Sequence, residues 1–318
     1  MREHISTNIS SEVFCFKKAS ISLYVTLYQD QSVAPRAALL YFHGGGLLCG
    51  NRHDLPDYHI ETLCNAGYPI LAFDYRLAPA TKIPEIMDDV KDAIRWYIAE
   101  RGGVLKDALS GFAASRENSA TSNIDISVLP YYLWGRSAGA YLTLLAARET
   151  YDEAPRGILS YYGYAFLEDH WYNTPCEYYL QVAPRIDAQK FTRLREEVCA
   201  DVPLERRYVL YMGARQQGNW ISEIYDDREK YFYAPYSFRL VDSFEGYPPV
   251  FITHASGDPD VPFAEAQALN NLLPDTTVYY VSKKQHDYDR TTEDSATVTL
   301  LEKTLEFLGQ GDGSSVPL

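Results

Sequence analysis

Ser137 stands at the centre of Gly135-Arg136-Ser137-Ala138-Gly139, a G-x-S-x-G pentapeptide. An apolar run over 128–134 precedes it and a helix-like stretch over 140–148 follows it. A serine on a sharp strand-to-helix turn is presented as a nucleophile, and the N-terminal amides of the helix face any negative charge that develops there. Glycine is required two residues to either side because side chains would collide across so tight a turn. A second element, His43-Gly44-Gly45-Gly46, ends another apolar run, 37–42. Glycines behind a strand let backbone N–H groups approach a substrate oxygen closely, which is what an oxyanion hole needs. Either motif alone could be a chance Gly-rich turn. The two in this order, each behind a strand, point to acyl-transfer chemistry.

These motifs are joined by Asp74-Tyr75-Arg76-Leu77-Ala78-Pro79, by His254-Ala255-Ser256-Gly257-Asp258-Pro259-Asp260-Val261-Pro262 and by His286. Together they resemble the hormone-sensitive-lipase-like carboxylesterase group of the α/β-hydrolases, over residues 37–308. The resemblance implies an α/β fold with a mostly parallel central sheet flanked by helices. That group commonly has Asp or Glu second in the elbow; here the residue is Arg136, so the local electrostatics stay open.

A serine hydroxyl becomes a good nucleophile only when a base removes its proton, and a buried carboxylate normally orients that base. In this fold the chain order is Ser, then acid, then His. After Ser137 the chain holds His170, His254 and His286. His170 falls in an inserted segment and His254 precedes the acid candidates. His286 follows the last predicted strand and is the predicted base. The acid is Asp258 or Asp260, both just beyond a strand over 249–253. The resemblance aligns Asp258 with the acid, and Asp260 is expected to cap the helix starting near Pro262. The oxyanion hole is assigned to the amides of Gly45, Gly46 and Ala138, the two glycines being carried over from the resemblance. His43 is expected to brace the glycine loop, and Asp74 with Arg76 to form a buried strand-end pair holding it.

The chain has 318 residues, 46% of them hydrophobic, and a net charge of −14. That charge disfavours nucleic acid and anionic membrane surfaces as partners. Neither a signal peptide nor a membrane-spanning segment is expected. Five cysteines without a C-x-x-C pair suggest neither a zinc site nor a disulfide framework, and reduced thiols fit a cytoplasmic enzyme. Cys49 is expected to behave as a small hydrophobe. No metal or organic cofactor is implied; the expected partner is a small-molecule ester, and a homo-oligomer stays open.

Apolar runs alternate with helical patterns, as in a largely parallel sheet covered on both faces. Strands are predicted over 20–28, paired antiparallel with 13–17, and over 37–42, 68–75, 157–162, 249–253 and 277–281. Helices are predicted over 54–65, 83–100, 263–273 and 292–308. The helix over 83–100 carries an apolar stripe at spacings of three and four and is stopped by Gly102-Gly103. Residues 104–125 read as an exposed insertion and 309–318 as a disordered tail. The chain is taken as one domain, 1–318, with residues 163–245 as a cap insertion over the site. The cap holds Trp171, Tyr172, Tyr178, Tyr179, Tyr208, Tyr211, Trp220, Tyr225, Tyr231, Tyr233 and Tyr236. Tyr172, Tyr178 and Trp220 are expected to wall the pocket, although an aromatic core internal to the cap, or a platform for a sugar, fits the composition too. The expected reaction is hydrolysis of short-chain acyl esters through an acyl-enzyme on Ser137. A sugar or xenobiotic deacetylase, an arylformamidase or a peptidase would use the same machinery, and a catalytically silent ligand-binding protein would keep the fold.

Overall fold

The computed structural model describes residues 8–110, 125–226, 233–239 and 241–312. Eight strands, β1 (Ile9–Lys18), β2 (Ser22–Asp30), β3 (Ala38–Phe42), β4 (Ile70–Phe73), β5 (Tyr131–Arg136), β6 (Ile158–Tyr161), β7 (Val250–Ala255) and β8 (Thr276–Val281), form one sheet. Their order is β1-β2-β4-β3-β5-β6-β7-β8. The pairs β1/β2 and β2/β4 are antiparallel. All the others are parallel.

The helices are α1 (Asp57–Asn65), α2 (Ile83–Glu100), α3 (Val104–Ser110), α4 (Ala138–Ala146), α5 (Glu177–Val182), α6 (Thr192–Glu196), α7 (Leu204–Gln217), α8 (Trp220–Ile224), α9 (Tyr233–Tyr236), α10 (Phe263–Leu272) and α11 (Ser295–Asp312). Helices α5 to α9 all lie between β6 and β7, in the segment read as a cap.

Every residue of β3, β4, β5, β6 and β7 is buried. Continuous apolar runs of this kind are strands covered on both faces. Because side chains alternate along a strand, Leu40 and Phe42 enter a core that includes Val90, Ile94 and Leu142. Leu39 and Tyr41 enter the opposite core, with Ile60, Leu63, Leu300 and Leu308. The stripe on α2 is buried at Ile83, Ile86, Met87, Val90, Ile94 and Tyr97.

Several boundaries differ from the sequence reading for identifiable reasons. Helix α1 starts at Asp57 because Pro56 is its extended N-cap, φ −62° and ψ 143°, and the residue before a proline is driven out of the helical region. Within the presumed exposed insertion, 104–110 form α3, with Leu105 and Leu109 buried; the polar stretch 113–122 lies outside the described residues. The tail was expected to be disordered from 309, but α11 continues to Asp312. Gly311 packs there against the Tyr132 hydroxyl, which donates to the carbonyl of Leu308 at 3.0 Å. Tyr231 and the end of the tail also lie outside the described residues.

A parallel register sends the C-terminal ends of β3, β5, β7 and β8 to one edge of the sheet. Phe42 pairs with Gly135, Arg136 and Thr253 both pair with Tyr161, and Ala255 pairs with Val281. The glycine loop, Ser137, Asp258 and His286 each follow one of those ends. A buried position in this sheet should be expensive to empty. Leu133→Ala in β5 should lower unfolding free energy by about 2–5 kcal/mol, whereas Val13→Ala in β1, 54% exposed, should change it by less than about 1 kcal/mol. Equal urea midpoints for the two variants would contradict this core.

Candidate active site

Ser137 links β5 to α4 with φ 51° and ψ −117°, a conformation that costs a non-glycine residue on the order of 1–3 kcal/mol. The turn is held by close backbone packing. A Cβ on Gly139 would lie 2.0 Å from the Phe42 carbonyl oxygen, and one on Gly135 would lie 2.2 Å from Gly139. Both flanking glycines are therefore steric requirements of the elbow.

His286 lies in the loop after β8. Its Nε2 is 2.9 Å from Ser137 Oγ and its Nδ1 is 2.6 Å from Asp258 Oδ2. Charge on His286, together with hydrogen bonds from His254 and His286, holds the Asp258 carboxyl well below the usual range, against the opposing effect of burial. An ionised carboxylate only accepts hydrogen bonds. His286 therefore donates through Nδ1–H, and in the neutral imidazole Nε2 is left to accept from Ser137. Burial opposes charge on the imidazole, but the nearby charge of Asp258, its hydrogen bond, and then Asp260 and Asp287 prevail, raising the His286 pKa to about 9.

The rest of Asp258 is also satisfied. Its Oδ1 accepts from the amides of Asp260 and Val261 at 2.8 and 3.0 Å. Its Oδ2 also has His254 Nε2 at 3.1 Å. His254, set aside on chain order, thus buttresses the carboxylate; its position four residues before Asp258 was the available signal. Asp260 does not cap a helix. Helix α10 has Pro262 as its N-cap, with no side-chain cap hydrogen bond. The Asp260 carboxylate instead accepts from Tyr211 and Tyr179 at 2.9 and 3.0 Å and from Arg215 at 3.2 Å. Asp258 already takes the amides of that turn, so Asp260 is free to face the cap.

The glycine loop has Gly45 at φ +98° and Gly46 at φ +60°. A Cβ on Gly46 would sit 2.1 Å from the Tyr211 ring. His43 is fully buried and stacks on Tyr75 at 4.2 Å. The Tyr75 hydroxyl donates to the His43 carbonyl at 2.9 Å, which braces the loop. Asp74 and Arg76 do not pair with each other. Asp74 takes Arg52, at 2.8 Å, and Arg76 takes Asp89 of α2, at 2.7 Å. Cys49 is buried, and burial pushes its thiol up, as suits a small hydrophobe.

Arg136 resolves the open electrostatics of the elbow. It is 1% exposed and donates to Asp289 at 2.7 Å. Asp289, three residues past His286, also accepts from the Tyr162 hydroxyl at 2.9 Å and lies 3.1 Å from His59 Nε2. Tyr162 turns its ring edge to His286 at 4.9 Å. Nothing in the local sequence marked Asp289 or His59 as partners, since they come from distant segments.

Ser137, His286, Gly45 and Gly46 line one cavity of about 850 Å³. Its cap side is formed by Tyr178, Tyr179, Tyr208 and Tyr211. Tyr172 and Trp220, expected at the pocket wall, are instead inside the cap. Tyr172 is fully buried and stacks 3.7 Å from Trp171 and 5.1 Å from Trp220. Trp220 donates from Nε1 to the Gly46 carbonyl at 2.8 Å, tying the cap to the glycine loop. Glu265 of α10 accepts from the Ala165 amide and the Trp171 indole, which anchors the start of the cap. Among the described residues no helix is long and apolar enough to cross a membrane, and no group of three or more His, Cys, Asp or Glu is arranged to hold a metal ion.

The family model for the α/β hydrolase fold matches residues 39–289, most of the chain, and the chain belongs to that family. Among curated proteins it is similar to an ethyl acetate hydrolase of Pseudomonas putida, 39% identical over 111 residues, which is 30% of this chain and 33% of that protein. The matches to the curated relatives span a third of their length or less. A solved structure of a protein of unknown function from Staphylococcus aureus is 28% identical with a TM-score of 0.75, over 95% of this chain and 99% of that one. An α/β hydrolase superfamily protein from Enterococcus faecalis is 26% identical with a TM-score of 0.72, over 91% and 96%. These similarities agree with the group that the sequence motifs resemble.

The ion pair under the site has a measurable consequence. Asp289→Asn leaves the buried Arg136 charge without its counter-charge and should destabilise the fold by about 3–5 kcal/mol, while the double variant Arg136→Leu/Asp289→Leu should lose much less. Urea unfolding of the two variants reads this directly. A double variant as unstable as the single one would show that the pair is not the cause.

Proposed function

We propose that this chain is a serine carboxylester hydrolase that cleaves short-chain acyl esters through an acyl-enzyme on Ser137. The observation that carries the reading is the unbroken Ser137–His286–Asp258 hydrogen-bonded chain beside a glycine loop at a cavity. His286 acts as the base that takes the Ser137 proton while Oγ bonds to the ester carbonyl carbon. The amides of Gly45, Gly46 and Ala138 are assigned to the oxyanion. Ala138 is the first residue of α4, where an amide has no partner within the helix. The carbon–oxygen bond to the alcohol then breaks and His286 returns the proton to the leaving alkoxide. Water, deprotonated by the same imidazole, releases the acid and restores Ser137.

Support for ester substrates with a small acyl group comes from the similarity to an ethyl acetate hydrolase. Residues 163–245 act as a cap that walls the alcohol or acyl pocket. All five cysteines are free thiols, which fits work in a reducing compartment such as the cytoplasm.

Ser137→Ala should abolish turnover of p-nitrophenyl acetate and labelling by a fluorophosphonate while the protein stays folded. Wild-type turnover in that variant would sink the assignment. Asp258→Asn should cut kcat by about 10³- to 10⁴-fold, and Asp260→Asn by far less; the reverse order would exchange their roles.

The base must be neutral to accept a proton. With its pKa pushed up to about 9, His286 is mostly protonated at pH 7, so kcat/KM should rise with pH between 7 and 9. Removing the nearby negative charge with Asp287→Asn should move that limb toward lower pH. A wild-type limb at or below the ordinary histidine value of about 6.5 would contradict the assigned electrostatics.

A further inference from the structure

The cavity beside Ser137 is large and its wall is unusual. At about 850 Å³ it is in the size range of pockets that enclose drug-sized ligands, far more than an acetyl or ethyl group needs. Such pockets are ordinarily lined by hydrophobic and aromatic side chains with a few polar groups. Here Leu204, itself 40% exposed, is the one open-chain aliphatic residue among the described residues of the wall. Beside Leu204 and the rings of Pro203 and Pro259, a long acyl chain would find little of its own kind to lie against. Most of its methylenes, whose burial is otherwise favourable, would have to lie against tyrosine rings and charged groups.

The wall combines two other features. Four cap tyrosines contribute ring surface, and the hydroxyls of Tyr179 and Tyr211 are already held by Asp260. The loops after β3 and β8 contribute Asn51, Asp54, Gln285, Asp287 and Arg290 to the same wall. Their charges are balanced in place: Arg290 lies 2.8 Å from Asp287 and 3.7 Å from Asp54. Arg136, at the floor, is neutralised by Asp289. Two further charges of the wall, Glu205 and Lys284, are exposed, and among the described residues its buried charges, Arg136 and Asp260, are paired. Side chains with several donors and acceptors each, set against aromatic faces, suit a neutral ligand that carries many hydroxyls around an apolar ring.

Resting on the serine-esterase reading, we propose that the alcohol part of the substrate is a neutral, polyhydroxylated ring of the carbohydrate type, carrying a short acyl group such as acetyl. The small acyl group meets Ser137, and the ring fills the cavity between the cap tyrosines and the polar loops. Hydrolysis transfers the acetyl group to Ser137 Oγ, with the His286 proton going to the sugar oxygen. Water then releases acetate.

The test compares the four mono-O-acetyl esters of methyl β-D-glucopyranoside with cyclohexylmethyl acetate and benzyl acetate. All carry the same acyl group on a six-membered-ring alcohol and differ in hydroxyls and aromaticity. A site built to hydrogen-bond hydroxyls rejects analogues that lack them. The best of the four glucoside acetates should therefore exceed both other esters in kcat/KM by about 100-fold or more. The double variant Tyr178→Ala/Tyr208→Ala should raise KM for that glucoside acetate by about 10-fold, within the range for lost apolar contact in a pocket. A cyclohexylmethyl or benzyl ester cleaved as well as, or better than, every glucoside acetate overturns the proposal, as does an unchanged KM in the double variant. Either result, obtained while Ser137→Ala is inactive on p-nitrophenyl acetate, leaves the esterase reading standing. Activity that survives Ser137→Ala overturns that reading first.

Discussion

A carboxylate taken out of water is the constraint around which this site is arranged. The Asp258 side chain has no solvent exposure, and an isolated buried charge is costly unless paired and hydrogen-bonded. Its partners come from three directions: the amides of Asp260 and Val261, His254 at the end of β7, and His286 from the loop after β8. Each bond that satisfies Asp258 also fixes a piece of backbone. The turn after β7 wraps the carboxylate, so its geometry and the imidazole's orientation are set together. Ser137 then meets an imidazole already aimed at it, and in the proposed reaction little reorganisation would be left.

The same logic of paired burial joins parts of the chain that are far apart in sequence. Asp260 faces away from Asp258 and binds Tyr211 and Arg215 of α7. Tyr211 lies against Gly46, whose carbonyl accepts from Trp220. The cap therefore touches both the acid turn and the glycine loop, and it does so through hydrogen bonds with defined geometry. Below the site, Arg136 and Asp289 connect the elbow strand to the histidine loop, with Tyr162 hydrogen-bonded to both. An arginine in the elbow is accommodated because its counter-charge arrives from the segment that also carries His286. Partnerless, either member would be a buried charge of the kind that proteins rarely tolerate.

Much of this was legible in the residues. The glycines around Ser137 and after β3 announce close backbone approach, because steric exclusion acts between neighbours in the chain and leaves a local signature. Continuous apolar runs announce strands buried on both faces, and the three-and-four spacing on 83–100 announces a helix with one buried face. The order of Ser137, Asp258 and His286 follows from the resemblance, and their meeting at one edge follows from a parallel register. These properties depend on short stretches or on topology, so a linear reading reaches them.

What only the tertiary structure decided is which polar groups share a buried site. Asp260 looked like a helix cap, yet the turn amides were already taken by Asp258, and the cap offered Tyr179, Tyr211 and Arg215. Asp74 and Arg76 looked like a pair, yet each finds its counter-charge on another segment, Arg52 and Asp89. Tyr172 and Trp220 looked like pocket walls, yet they stack on one another inside the cap while Tyr178, Tyr208 and Tyr211 face the cavity. Aromatic content does not distinguish a core from a wall, since both bury the same rings. Pairing of charges and facing of rings are set by segments tens to hundreds of residues apart. No local pattern encodes them, and the fold alone brings them within hydrogen-bonding distance.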